Sequence, residues 1–206
     1  MRRVLALAAL ILCARVASGQ DAPQAEFIIR KGKDTLGVER FTRDASLLTG
    51  QLAQSNGVKV EYVANLRPDH TVEHIELSRT NLQAQTLTLS IDFGDTLINA
   101  SFEAQGKKQA MAIATQARSM PFLLNSFALL EQIAKASHPA EGQKVKWIVA
   151  RLGAGDTASI SVTRGQADTL VISAPNGDVK LQMRGEDVVG AWFGPLQWTV
   201  ERKGKP

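Results

Sequence analysis

Apolar and polar residues alternate along most of this chain. Leu87, Leu89, Ile91 and Phe93 face one way, and Thr88, Ser90 and Asp92 the other. Val58, Val60, Tyr62, Ala64 and Leu66 alternate with Lys59, Glu61 and Asn65, and Val179, Leu181 and Met183 with Lys180, Gln182 and Arg184. A period of two marks β-strands with one packed face and one wet face. Turn residues punctuate these runs at short intervals, among them Gly32-Lys33-Asp34, Gly94-Asp95 and Pro175-Asn176-Gly177-Asp178. Asn56-Gly57 is a two-residue hairpin signal that joins a strand over 46–54 to the one beginning at Val58. In the strand over 36–43 the apolar set shifts parity between Val38 and Phe41, which predicts a bulge there. The pattern predicts about 12 strands, twelve or thirteen, and their short connections predict an antiparallel meander.

One stretch departs from this period. Over 121–136, Leu129, Phe122, Ile133, Leu130, Leu123, Ala134 and Phe127 fall on one arc at 100° per residue, interrupted only by Ser126. Lys135, Gln132 and Asn125 take the opposite side, with Glu131 and Leu124 at its edge. The stretch reads as an amphipathic helix capped by Ser119 or Met120, with Pro121 in its first turn and Pro139 and Gly142 beyond its end. A face this wide needs an apolar surface opposite, and only the strands supply one. The expected fold is mainly β: a large curved antiparallel meander, half-barrel or barrel, wrapped on one central helix.

The first nineteen residues belong to another pattern. Arg2 and Arg3 precede a short apolar run from Val4 to Leu12, and Ala17-Ser18-Gly19 offers small residues for cleavage. Residues 1–19 read as a signal peptide, and 20–206 as a single β-rich domain. Arg15 cuts the apolar run well below the ~20 residues of a membrane-spanning helix. The sole cysteine, Cys13, lies in this leader, so an exported chain would carry no thiol chemistry. Removing Arg2, Arg3 and Arg15 leaves 21 basic against 20 acidic residues, a net charge of +1 instead of +4. That balance, with few and scattered aromatics, argues against nucleic-acid binding. The expected location is periplasmic or extracellular.

Candidate chemistry is sparse. The sequence has no Gly-x-Ser-x-Gly elbow, no phosphate-binding loop and no Gly-x-Gly-x-x-Gly. His70 and His74 lie near Asp69, Glu73 and Glu76, but four residues of strand span about 13 Å, too far for two ligands of one zinc. His138 precedes Pro139 as part of a helix stop, and Glu186-Asp187 beside Arg184 reads as a solvated turn. The sequence thus predicts no catalytic residues, no metal and no cofactor. Trp147, Trp192 and Trp198 all lie in the second half, and aromatics dominate apolar ligand pockets. With Phe122, Phe127 and Leu130 from the helix, they form the expected wall of an apolar cavity.

The combination of a leader, a cysteine-free mature chain and a many-stranded sheet curved over one amphipathic helix resembles the secreted and periplasmic half-barrel lipid carriers of the lipoprotein-carrier type. The resemblance is one of architecture, spans the whole mature chain and is carried by no sequence motif. It implies a non-enzymatic binding protein whose cavity, between sheet and helix, holds acyl chains of a lipid. The alternatives are a structural or interaction module with a filled core, or an outer-membrane β-barrel, which the short strands and the basic C-terminus disfavour.

Overall fold

The computed structural model describes residues 24–166 and 168–204, so the predicted leader lies outside the described residues. Eight strands come first: β1 (Ala25–Lys31), β2 (Asp34–Arg43), β3 (Leu47–Gln54), β4 (Lys59–Leu66), β5 (Val72–Thr80), β6 (Thr86–Phe93), β7 (Leu97–Ala104) and β8 (Lys107–Ala114). A short β9 (Ser119–Phe122) then leads into the helix α1 (Phe127–Ser137). Six strands return the chain: β10 (Lys144–Arg151), β11 (Asp156–Arg164), β12 (Thr169–Ala174), β13 (Gly177–Arg184), β14 (Asp187–Phe193) and β15 (Trp198–Lys203).

All fifteen strands form one sheet, in the order β8-β7-β6-β5-β4-β3-β2-β1-β15-β14-β13-β12-β11-β10-β9. The first and last described strands pair in the middle, Ile28 opposite Glu201, so the two ends of this segment close on each other as neighbours. Every pairing is antiparallel except that of β9 with β10, which are parallel because the helix carries the chain back between them. β8 and β9 are the outer edges and do not pair with each other. The fold is mainly β, an open, curved meander with a single helix among the described residues, as the alternation predicts; the strands number fifteen instead of about twelve.

The helix starts later than its periodicity suggests. Ser119, Met120, Pro121 and Phe122 are all buried and extended, forming β9 against Ile148, Val149, Ala150 and Arg151. Four consecutive buried residues carry no alternation, so periodicity alone cannot separate this strand from a first helical turn. The N-cap is therefore Ser126, whose hydroxyl accepts from the Leu129 N–H, and not Ser119 or Met120. Asn125 falls outside the helix. The expected polar side is also not wet: Glu131 and Gln132 are both fully buried. The helix is enclosed almost all round, with only Lys135 and Ala136 partly exposed along it.

The enclosure is achieved by polar side chains on inward positions of the sheet. The bulge expected between Val38 and Phe41 is not formed there, since β2 pairs with β3 in continuous register from Gly37 to Arg43; β2 bulges instead at Leu36, where Ile29 pairs with Gly37 and Arg30 with Thr35. That shift turns Val38 outward and points Gly37, Glu39, Phe41 and Arg43 toward the helix side. Glu39 is fully buried, and one of its oxygens accepts from the Tyr62 hydroxyl at 2.8 Å and the Ser126 hydroxyl at 2.5 Å. The other accepts from the Ala128 N–H at 2.9 Å. A carboxylate thus caps the positive end of α1 from across the core. Tyr62 reaches it because its partner in β3 is Gly50; a Cβ there would stand 2.1 Å from the tyrosine ring.

A second anchor lies one turn further along the helix. Glu131 accepts from Arg43, from Arg202 at 2.6 Å and from the Val188 N–H at 3.0 Å, linking α1 to β2, β15 and β14. Arg43 also donates to the Ala128 carbonyl at 2.9 Å. The guanidinium of Arg202 lies over Phe27 and Phe41, which stack at 5.3 Å. Burial lowers the Arg43 pKa to about 10, which still leaves it charged at neutral pH beside its carboxylate partner.

Candidate functional site

The six residues expected to wall a cavity are not brought together. Phe122, Phe127 and Leu130 are buried in the packed core beneath the helix. Trp147 is half-buried and donates its indole N–H to the Ser137 hydroxyl at 2.9 Å, near the end of α1. Trp198 is half-buried against Phe193 and borders only a small crevice of about 50 Å³ with Leu36, Leu52 and Asn125. Trp192 is 45% exposed and lies outside, under the Lys180 ammonium. A 3-10 turn at Gly194–Leu196 separates Trp192 from Trp198, and the register, Trp192 opposite Thr199 and Phe193 opposite Trp198, puts the two tryptophans on opposite faces. Around the helix, the inner face of the sheet is filled.

The open space lies elsewhere. Between the inner faces of β6, β7 and β8 and the turn joining β10 to β11 runs an apolar groove of about 490 Å³. β6 contributes Leu87, Leu89 and Ile91; β7 contributes Ile98, Ala100 and Phe102; β8 contributes Met111 and Ile113. Leu152 closes the groove from the β10–β11 turn. Burial falls off along each strand. Ile91, Phe93, Ile98 and Ala100 are covered, whereas Leu87, Leu89 and Phe102 are half-exposed and Met111 is 41% exposed. The only charges in the lining are Arg151 and Asp156, which pair with each other at its end. Their pairing holds Asp156 below the usual carboxylate range and Arg151 above its ordinary value.

The groove exists because the sheet is wider than the helix. Eleven helical residues span about 16 Å, while fifteen strands side by side cover about 70 Å of sheet. The anchors Glu39 and Glu131 fix the helix over the central strands. The arm β6–β8 is left to fold its inner face toward the β10–β11 turn. Arg118 braces the crossing from β8 to β9, donating to Asp69 at 2.6 Å and Asp95 at 2.7 Å. A hollow of about 440 Å³ on the outer side of β2–β6 also carries the exposed Val63, but Arg40, Glu61 and Glu76 place three charges in its lining, more than the groove has.

The histidines separate. His74 pairs with Asp92 at 2.7 Å on the outer side of the sheet, while His70 turns toward the end of the helix. There the His70 carbonyl accepts from the buried Gln132 side chain at 2.7 Å, and the His70 ring faces that of His138. Glu186 and Asp187 are not simply solvated. Asp187 is bonded to Lys135 at 3.0 Å, and Glu186 stands 3.8 Å from His138.

No family model matches the chain, and no curated protein matches it. Among solved structures, a DUF1089 family protein from Pseudomonas aeruginosa is similar, with a TM-score of 0.54 over 73% of this chain and 85% of that one. The similarity is one of fold. At 12% identity it carries no residue or activity from one chain to the other.

The signal for the groove in the sequence is the alternation of Leu87, Leu89, Ile91 and Phe93, which lie in β6. The tryptophans are a poorer signal, because large aromatic side chains are as useful in packing as in binding.

Proposed function

We propose that this protein is a non-enzymatic carrier or binder of an apolar ligand such as a lipid, with an acyl chain held in the groove between β6–β8 and the β10–β11 turn. The observation that supports this reading is the half-exposed apolar lining on the inner face of the sheet. Burying such side chains under a ligand is favourable by roughly 25 cal/mol per Å² of apolar surface. The groove's volume lies within the ~300–1,000 Å³ range of small-molecule sites. An exported location, read from residues 1–19, belongs to the same proposal and suits a protein that moves a poorly soluble molecule between surfaces. No helix among the described residues is long and apolar enough to cross a membrane. The open sheet speaks against a membrane β-barrel, which has to close.

A second reading, an interaction module, draws on β8. This edge strand is exposed along nearly its whole length, and such an edge can accept a further strand. Lys107 and Lys108 at its start are the kind of charge that discourages unspecific pairing.

The test is saturable binding of an environment-sensitive apolar dye, displaced by long-chain fatty acid. Leu89→Asp, in the groove, is expected to abolish it. Val63→Asp, on the outer face of β4, is expected to leave it unchanged. Absence of saturable binding, or equal loss in both variants, would remove the carrier reading and leave the module.

A further inference from the structure

Three side chains remote in sequence converge where α1 ends. His70 belongs to the β4–β5 turn, His138 is the C-cap of the helix, and Glu186 lies in the β13–β14 turn. One ring nitrogen of each histidine and one carboxylate oxygen of Glu186 all lie within 4.8 Å of one another. The two imidazole rings are 6.0 Å apart between centroids and tilted by 51°. Both histidines adopt left-handed backbone, with φ of 64° and 32°, a region that residues other than glycine enter uncommonly. Each is held there: the His70 N–H donates to the Arg67 carbonyl at 2.9 Å, and the His138 N–H to the Ala134 carbonyl at 3.3 Å.

The geometry points to a divalent transition-metal site of the zinc class formed by His70, His138 and Glu186. Two neutral imidazoles and one carboxylate are a donor set that Zn²⁺ takes, with a fourth tetrahedral position left for water. Ligand atoms at about 2.05 Å from a tetrahedral ion stand roughly 3.4 Å apart. The three atoms therefore need only small side-chain rotations, and both His138 and Glu186 are more than half exposed and free to make them. The C-terminal end of a helix favours a cation. Lys135 also approaches Glu186, at 3.9 Å, but it is closer to Asp187 at 3.0 Å. Metal binding replaces the longer contact and leaves the shorter one.

The site has a mechanical consequence. In sheet order, β4 and β5 lie on one side of the β1–β15 seam, and β13 and β14 on the other. An ion bound here joins a turn from each side through the end of the helix and clamps the half-barrel at that end, away from the groove.

The test uses tag-free, metal-stripped protein titrated with ZnCl₂ by calorimetry, with circular dichroism to monitor folding. One zinc per chain is expected. His70→Gly and His138→Gly suit the left-handed backbone and so preserve the fold. They and Glu186→Gln are each expected to weaken binding about tenfold or more. His74→Ala should bind as the wild type does. At free zinc about 100 times Kd, the melting temperature should rise by roughly 5–10 °C. No saturable binding, or binding lost in His74→Ala yet intact in His138→Gly, would overturn the site.

Discussion

Strands β4 and β7 are both eight residues long and both alternate, yet they end in different surroundings. In β4 the inward residues Val60, Tyr62, Ala64 and Leu66 are all buried. In β7, Ile98 and Ala100 are buried, but Phe102 and Ala104 remain partly exposed. Nothing in the strands themselves explains this. The difference lies in what stands opposite. A helix pinned by Glu39 and Glu131 fills the space over the central strands, and among the described residues no element covers the far half of the β6–β8 arm. Alternation records which face of a strand points inward; it does not record whether that inner space is occupied.

The strongest way to break the filled side is to remove its charged anchor. Glu131→Ala leaves Arg43 and Arg202 buried without their shared carboxylate, and is expected to cost about 3–5 kcal/mol. Chemical denaturation measures it; a loss below 1 kcal/mol would mean that the Glu131 anchor does not hold the helix.

The two surfaces should also differ in how they tolerate truncation. Leu130→Ala beneath the helix creates a cavity and is expected to cost about 2–5 kcal/mol. Phe102→Ala, at the half-exposed end of the groove, should cost about 1–2 kcal/mol despite removing a larger side chain, because part of its surface is already in water. Equal losses would show that the arm is as tightly packed as the centre.

These contrasts also mark what was legible in the sequence. The alternation gave the strands and the meander, and Asn56-Gly57 placed one hairpin, with Gly57 at φ +80°. The apolar arc gave the helix, but not its start, because the buried run Ser119–Phe122 fits strand and helix equally well. The inward charges were hidden. Glu39, Arg43, Glu131 and Gln132 are charged or polar positions that give no sign of burial in the sequence, because each has a partner 60 or more residues away. The cluster of His70, His138 and Glu186 was hidden for the same reason. The groove could have been inferred from lengths alone, since one short helix cannot cover the inner face of so many strands.

A smaller effect sharpens the anchoring at the helix start. Burial pushes the Glu39 carboxyl above its ordinary range, against the hydrogen bonds from Ser126, Ala128 and Tyr62 that favour the charged form. The unfolded chain ionises Glu39 at a lower pH than the folded one. Its contribution to stability is therefore full below the unfolded pKa and is lost as pH rises through the raised folded value. In Glu39→Gln this slope should disappear. The stability difference, wild type minus variant, should fall as pH rises from about 4; urea unfolding across pH checks it, and a difference that grows with pH would contradict the assignment.

The most direct measurement uses the methionines as reporters of the two surfaces. Met111 lies in the groove, whereas Met120 and Met183 are buried on the filled side. With ¹³C-methyl-labelled methionine, titration with a long-chain fatty acid should shift the Met111 signal saturably and leave those of Met120 and Met183 in place. A Met111 signal that stays fixed while the buried pair moves, or three signals that never move, would contradict the division of the inner face into a filled half and a binding half.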